Sequence, residues 1–162
     1  MQDKIRQFKA EFEQAIGGVK HALGTTTADR LTWSPSKSAR SPLQVAAHVA
    51  IGGRDMLGNL TGNTFPIETT EEAEQFHRER DSKVESLEEC TQMLDDLTRD
   101  YFSWLDGLTE KSLDEPMKLP FGMGEMPVSM GITFMPLHVQ WHTAQINYIQ
   151  TIYGDHDWHM PK

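Results

Sequence analysis

Met135-Pro136-Leu137-His138-Val139-Gln140-Trp141-His142-Thr143-Ala144-Gln145-Ile146 lies near the C-terminal end of the 162-residue chain, and its reading decides the fold. As a helix it sets His138 and His142 one turn apart on one face, so both imidazoles reach toward a common point. Met135, His138, His142, Gln145, Ile149 and Ile152 recur at three-and-four spacing, which reads as the inward stripe of a buried helix. Two polar rings on such a stripe need partners, and a metal ion is one partner that serves both. The other reading is two core histidines satisfied by ordinary hydrogen bonds.

The helix is predicted to start near Ser129 or just after Pro136 and to stop at Tyr153-Gly154. Before it, Pro116, Pro120, Gly122, Gly124 and Pro127 make residues 109–128 a loop. Met117, Phe121, Met123 and Met126 make that loop apolar, so it is expected to fold over something, with Phe121 and Met123 as pocket or lid residues. Ser86-Leu87-Glu88-Glu89 is a capping-box signature, and Cys90, Leu94, Leu97, Tyr101 and Leu108 follow it at helical spacing. Ser41-Pro42 opens another helix running through His48 to about Leu60, whose alanines allow a neighbour to approach closely. Ile5, Phe8, Phe12, Val19 and Leu23 define a first amphipathic helix over residues 3–24, and the acidic Glu71-to-Arg80 segment reads as a short exposed helix. Four long helices, a short extra one between the second and third, and no strand longer than a few residues predict an all-α four-helix bundle. A single domain over residues 1–162 is large enough to bury its own core.

Lys and Arg total 15 against 24 Asp and Glu, a formal net charge of -9. No basic cluster stands out against that balance, so the expectation is no nucleic-acid partner and no anionic membrane surface. Cys90 is the only cysteine, which rules out an intrachain disulfide and a cysteine-based zinc site within the chain. Together with the lack of a long apolar segment, this predicts a cytoplasmic protein.

A metal site needs a third ligand, and His48 is the histidine with an inward-leaning position on a well-defined helix. His21 falls between the apolar positions of the first helix and His77 in the acidic segment, so both read as solvated side chains. His156 and His159, with Asp155 and Asp157, form a local chelating pattern on a tail that offers no pocket.

Leu31-Thr32-Trp33-Ser34-Pro35, then Ser41-Pro42-Leu43-Gln44-Val45-Ala46-Ala47-His48, and finally His138-x-x-x-His142-x-x-Gln145 with Tyr148, together resemble the signatures of the DinB-like, or YfiT-like, metalloenzyme family. The resemblance covers nearly the whole chain, although the Phe121-to-Glu125 loop has no counterpart in it. It implies a bundle of up-down-down-up connectivity, a homodimer, and a divalent ion, zinc or nickel, on His48, His138 and His142. It also implies a low-molecular-weight thiol as cosubstrate, since characterised members include thiol-dependent transferases and isomerases.

The ligand chemistry points the same way. Three neutral imidazoles leave the ion's charge intact and at least one coordination position open, where a thiol or water is activated to attack a small electrophilic substrate. Gln145, one turn beyond His142, is placed to orient a ligand from behind. The alternative is a stress-related protein that binds a metal or small ligand without turnover.

Overall fold

The computed structural model describes residues 1–63 and 65–160; Thr64, Pro161 and Lys162 lie outside the described residues. Four long helices carry the structure: α1 (Gln2–Thr25), α2 (Pro42–Leu60), α4 (Leu87–Asp106) and α6 (Val128–Ile152). Between them lie α3 (Thr70–Asp81) and α5 (Glu110–Asp114). Both α1 and α2 pack mainly against α4 and α6, so these two consecutive helices stand on a diagonal of the bundle. The connector from Thr26 to Ser41 spans that diagonal. It is pinned near its middle, by Leu43 N donating to Leu31 O at 3.0 Å and by Trp33 edge-on to Tyr153, 5.8 Å between centroids.

Helix starts follow the local chemistry. At α2 the Ser41 hydroxyl accepts from Gln44 N while Gln44 Oε1 accepts from Ser41 N at 3.0 Å, with Pro42 in the first turn where no N–H is needed. Ser86 caps α4 by accepting from Glu89 N at 3.1 Å; Glu89 turns its carboxylate instead to Glu85 N, 3.2 Å away. The core is built from Phe12, Val19 and Leu23 on α1, the alanines of α2, Leu94, Leu97 and Tyr101 on α4, and Ile132, Met135 and Val139 on α6. A Cβ on Gly53 would sit 2.5 Å from Leu97 Cδ2, so glycine there is what lets α2 and α4 close together.

Pro136 neither starts nor ends the last helix. It lies inside α6, buried, and its missing N–H leaves the Ile132 carbonyl without a helical partner. Tyr101, fully buried on α4, turns its hydroxyl to that carbonyl at 3.4 Å. A side chain from a neighbouring helix thus replaces the lost bond, and α6 runs on unbroken to the histidines.

The buried face of α6 is also rotated from the predicted stripe. Gly131, Ile132, Met135, Val139, Ile146 and Ile149 are buried, whereas Gln145 and Ile152 are exposed and His138 and His142 lie on the flank, partly covered. The three-and-four spacing fits both faces, and the neighbours of Val139 and Ile146 choose between them.

The apolar loop has more structure than expected. After α5, strands β1 (Pro116–Lys118) and β2 (Glu125–Pro127) pair antiparallel, with Met117 opposite Met126. Gly124 (φ 91°) and Gly122 (φ 66°) supply the left-handed backbone of the turn between them. A Cβ on Gly131 would overlap Met117 Sδ, so the hairpin rests directly on the start of α6. Among the described residues no helix is long and apolar enough to cross a membrane.

Candidate metal centre

His48 comes from the middle of α2, and His138 and His142 from successive turns of α6 across from it. Each offers one ring nitrogen such that the three nitrogens lie within 4.8 Å of one another, and ring centroids are 4.7 Å apart for His48–His142 and 4.6 Å for His138–His142. Gly52, one turn after His48, makes room: a Cβ there would meet His138 Cε1 at 3.3 Å.

The electrostatics suit neutral imidazoles. Burial, with the neighbouring histidines adding to it, pushes His138 down to about 3, so its ring carries no charge at neutral pH. His142 is lowered too, by burial first, against the opposing effect of its bond to Gln145. In that bond Gln145 Oε1 accepts from His142 Nδ1 at 2.8 Å, which puts the proton on Nδ1 and leaves the Nε2 lone pair free. His138 Nδ1 is buried and has no hydrogen-bond partner. A buried ring nitrogen that nothing in the chain uses, beside the rings of His48 and His142, is a donor set that fits a divalent cation of the zinc or nickel kind.

His77 is the residue that sequence reasoning missed. It was expected in solvent, yet α3 folds back over α2 and leaves its side chain only 12% exposed, its ring centroid 4.9 Å from that of His48. Burial and the adjacent His48 lower it to about 4. Phe65 and Phe76 pack on its outer side at 5.6 and 5.9 Å. α3 is held there by Arg40, whose Nε donates to Asp81 Oδ2 at 2.7 Å while its two Nη groups grip Glu74 at 3.0 and 3.2 Å. Asp81, 1% exposed, also brings Oδ2 to 3.3 Å from His48 Nδ1. The only advance signal was the Arg80-Asp81 end of the acidic segment, a charge pattern that in sequence looks like an ordinary solvated helix.

The two lid candidates separate. Met123 lines an apolar cavity of about 220 Å3 with Met56, Leu60, Met117, Met126 and Phe134. Met56 and Phe134 lie one turn from Gly52 and His138, so this cavity lies about one helical turn from the cluster along α2 and α6, and no histidine lines it. Phe121 is not among its walls; it packs against Phe65, 6.2 Å between centroids, and so backs the shield over His77. On the opposite flank, an open groove lined by Arg40, Arg78, Trp141, Gln145 and Tyr148 has a volume of about 540 Å3. The remaining histidines stay apart: His21 contacts the His159 carbonyl, and His159 Nε2 lies 2.9 Å from Asp155 Oδ2. Cys90 is fully buried and its thiol is pushed up to about 12 by burial.

Residues 11–146 match the family model described as the DinB superfamily. The chain belongs to that superfamily. Solved structures with the DinB-like helical bundle agree, at low identity. YfiT from Bacillus subtilis, titled a probable metal-dependent hydrolase with an unusual four-helix bundle topology, is 16% identical over 95% of this chain and 90% of its own, with a TM-score of 0.75. The mycothiol-dependent maleylpyruvate isomerase is 13% identical over 88% of this chain and 60% of its own, TM-score 0.68. The colibactin self-resistance protein ClbS, whose structure is described in complex with double-stranded DNA, is 12% identical over 91% and 95%, TM-score 0.68. No curated protein matches the sequence.

ClbS corrects one expectation. Excluding nucleic acid as a partner does not stand, because a chain of this DinB-like fold is described with DNA bound. The physical reason is that net charge sums over the whole surface, whereas phosphate contacts are local.

Proposed function

We propose that this DinB-like protein is a metal-dependent enzyme in which His48, His138 and His142 hold one divalent ion, zinc or nickel, and a thiol or water attacks a small electrophilic substrate. The observation that carries the reading is the convergence of three imidazoles, one with an unpartnered buried nitrogen. When bound, the ion would supply a dipositive charge that lowers the pKa of a thiol or water beside it. YfiT, a probable metal-dependent hydrolase, and the mycothiol-dependent isomerase support both parts of the proposal.

The chain's own residues divide the remaining work. Gln145 holds the His142 ring by its Nδ1–H, keeping Nε2 aimed away from the helix surface. The methionine-lined cavity one turn from His138 offers an apolar wall for the electrophile, with Met123 at its exposed mouth. The groove on the other flank, with Arg40, Arg78 and Trp141, suits a polar, anionic thiol. Cys90 is excluded as nucleophile by burial and its raised pKa, so the attacking group comes from outside the chain.

Elemental analysis of protein purified without an affinity tag tests the ligands: one ion per chain is expected, and none in His138→Ala. Apo and metal-loaded protein are then assayed with several low-molecular-weight thiols and a chlorinated nitrobenzene, with Cys90→Ala beside the parent. Turnover that needs metal and survives Cys90→Ala is the expected result; unchanged metal content in His138→Ala overturns the site.

A further inference from the structure

We propose that His77 is a positioning residue for His48: its Nδ1 accepts the His48 Nδ1–H, with the Asp55 carboxylate facing His77 from the far side, so that His48 presents Nε2 to the ion. The inference rests on the reading of His48 as a ligand.

His77 Nδ1 and His48 Nδ1 lie 3.3 Å apart. Two imidazole nitrogens at that distance share one proton, so one ring donates and the other accepts. The groups on the other edges decide which. His77 Nε2 lies 3.4 Å from Asp55 Oδ2, and an ionised carboxylate only accepts. The negative charge facing that edge favours the His77 proton on Nε2, which leaves its Nδ1 as the acceptor. His48 must then carry its own proton on Nδ1, and its Nε2 is the free lone pair. Asp81 gives the same answer independently, since its Oδ2 is 3.3 Å from the same His48 Nδ1 and also only accepts. Two carboxylates on different helices thus select one tautomer.

The surroundings are built for this relay. Asp55 Oδ2 is buried and makes no hydrogen bond, so its contacts with His77 Nε2 at 3.4 Å and Arg80 Nη1 at 3.5 Å are electrostatic. Gly52 lies between Asp55 and His48 on α2, and a Cβ there would meet His77 Cε1 at 3.6 Å as well as the His138 ring. Phe65 and Phe76 flank the His77 ring and restrict its rotation. A histidine ligand whose other nitrogen is held this way keeps its orientation and its basicity, and loss of the outer partner commonly weakens metal binding about 10- to 100-fold.

Metal affinity, read by competition with a chromophoric chelator, tests the relay in parent, His77→Ala, His77→Asn and His77→Gln. The asparagine amide oxygen falls near the position of the histidine Nδ1 and can accept from His48, whereas the glutamine amide reaches toward the Nε2 position. The expected result is a loss of about 10- to 100-fold in His77→Ala and His77→Gln and recovery in His77→Asn. The cobalt-loaded absorption spectrum should shift in the first two and return in the third. Parent-like affinity in His77→Ala, or equal losses in the Asn and Gln variants, would overturn the relay while leaving the ligand set intact. A parent that binds no metal would instead remove the ligand reading on which the relay rests.

Discussion

The middle of α4 and the histidine edge of α2 handle buried polar groups in opposite ways. Around α4 each such group has a use: Tyr101 bonds the Ile132 carbonyl that Pro136 leaves free. At the far end of α6, Gln150 is 4% exposed and gives its amide to Ala22 O and Thr26 Oγ1, each at 3.1 Å, while Tyr153 Oη nearby has no partner. At the histidine edge the pattern reverses. Among the described residues, Asp55 Oδ2, Asp81 Oδ1 and His138 Nδ1 are buried without a partner, and only Tyr153 Oη shares that state elsewhere. Unsatisfied buried groups are costly, so their concentration in one place marks a region shaped for something other than stability. One region holds the fold and the other carries the proposed metal ligands.

The sharpest way to break that division is to damage the first region and look for effects in the second. Leu97→Ala removes a fully buried side chain at the α2–α4 contact, opposite Gly53, and should cost about 2–5 kcal/mol by urea unfolding. Metal content per folded chain should not change. A variant that loses its metal while still folded would show that core and site are one unit.

Chelation acts on the second region. A metal that binds only the folded chain stabilises it by mass action, about 2.7 kcal/mol at a hundredfold excess over Kd, so chelator should lower Tm by several degrees in the parent and not in His138→Ala. In the metal-free protein, pH acts on the same rings. His138 is depressed to about 3 and His77 to about 4 from an ordinary 6.5, so between these values the unfolded chain binds more protons than the folded one. Their contribution is complete above about pH 6.5 and is lost as pH falls toward 4. Denaturant midpoints measured across that range should decline, and a flat profile would mean that these rings are solvated.

How much of this was legible in the sequence follows the same division. Capping chemistry and three-four periodicity are local, and Ser41-Pro42, Ser86 and the α4 stripe were placed correctly because nothing distant alters them. The motif spacing around His48, His138 and His142 also carried the family resemblance. His77 was not legible, since its burial depends on α3 folding back onto α2 through Arg40, Glu74 and Asp81, which are 34 and 41 residues from Arg40. The place of Pro136 was ambiguous for a similar reason: a proline inside a helix is tolerated only where another element supplies the missing bond, and Tyr101 lies on a different helix.

That contact gives the next smaller effect. Tyr101→Phe keeps the ring packing on Phe12, 4.6 Å between centroids, and removes only the hydroxyl, leaving the Ile132 carbonyl buried and unpaired. The expected cost is about 1–3 kcal/mol, with faster amide exchange in the turn of α6 around Pro136. Metal affinity serves as the control, and a neutral variant would mean that the helix closes over Pro136 without help.

The smallest change concerns the hairpin, where the two apolar residues at its turn have different neighbours. Met123 is 60% exposed at the mouth of the methionine-lined cavity, so replacing it by serine removes little buried surface and should shift stability by less than about 0.5 kcal/mol. It should nevertheless weaken binding of a small aryl probe several-fold, because the flexible thioether that closes the cavity is gone. Phe121 packs on Phe65 instead and does not line the cavity, so Phe121→Ser should leave probe affinity nearly unchanged and lower stability more than the Met123 variant does. Calorimetric titration of both variants with the same probe, metal content held at the parent level, measures the difference. If Phe121→Ser loses the probe and Met123→Ser keeps it, the ligand lies on the aromatic shield over His77 rather than in the cavity one turn from His138.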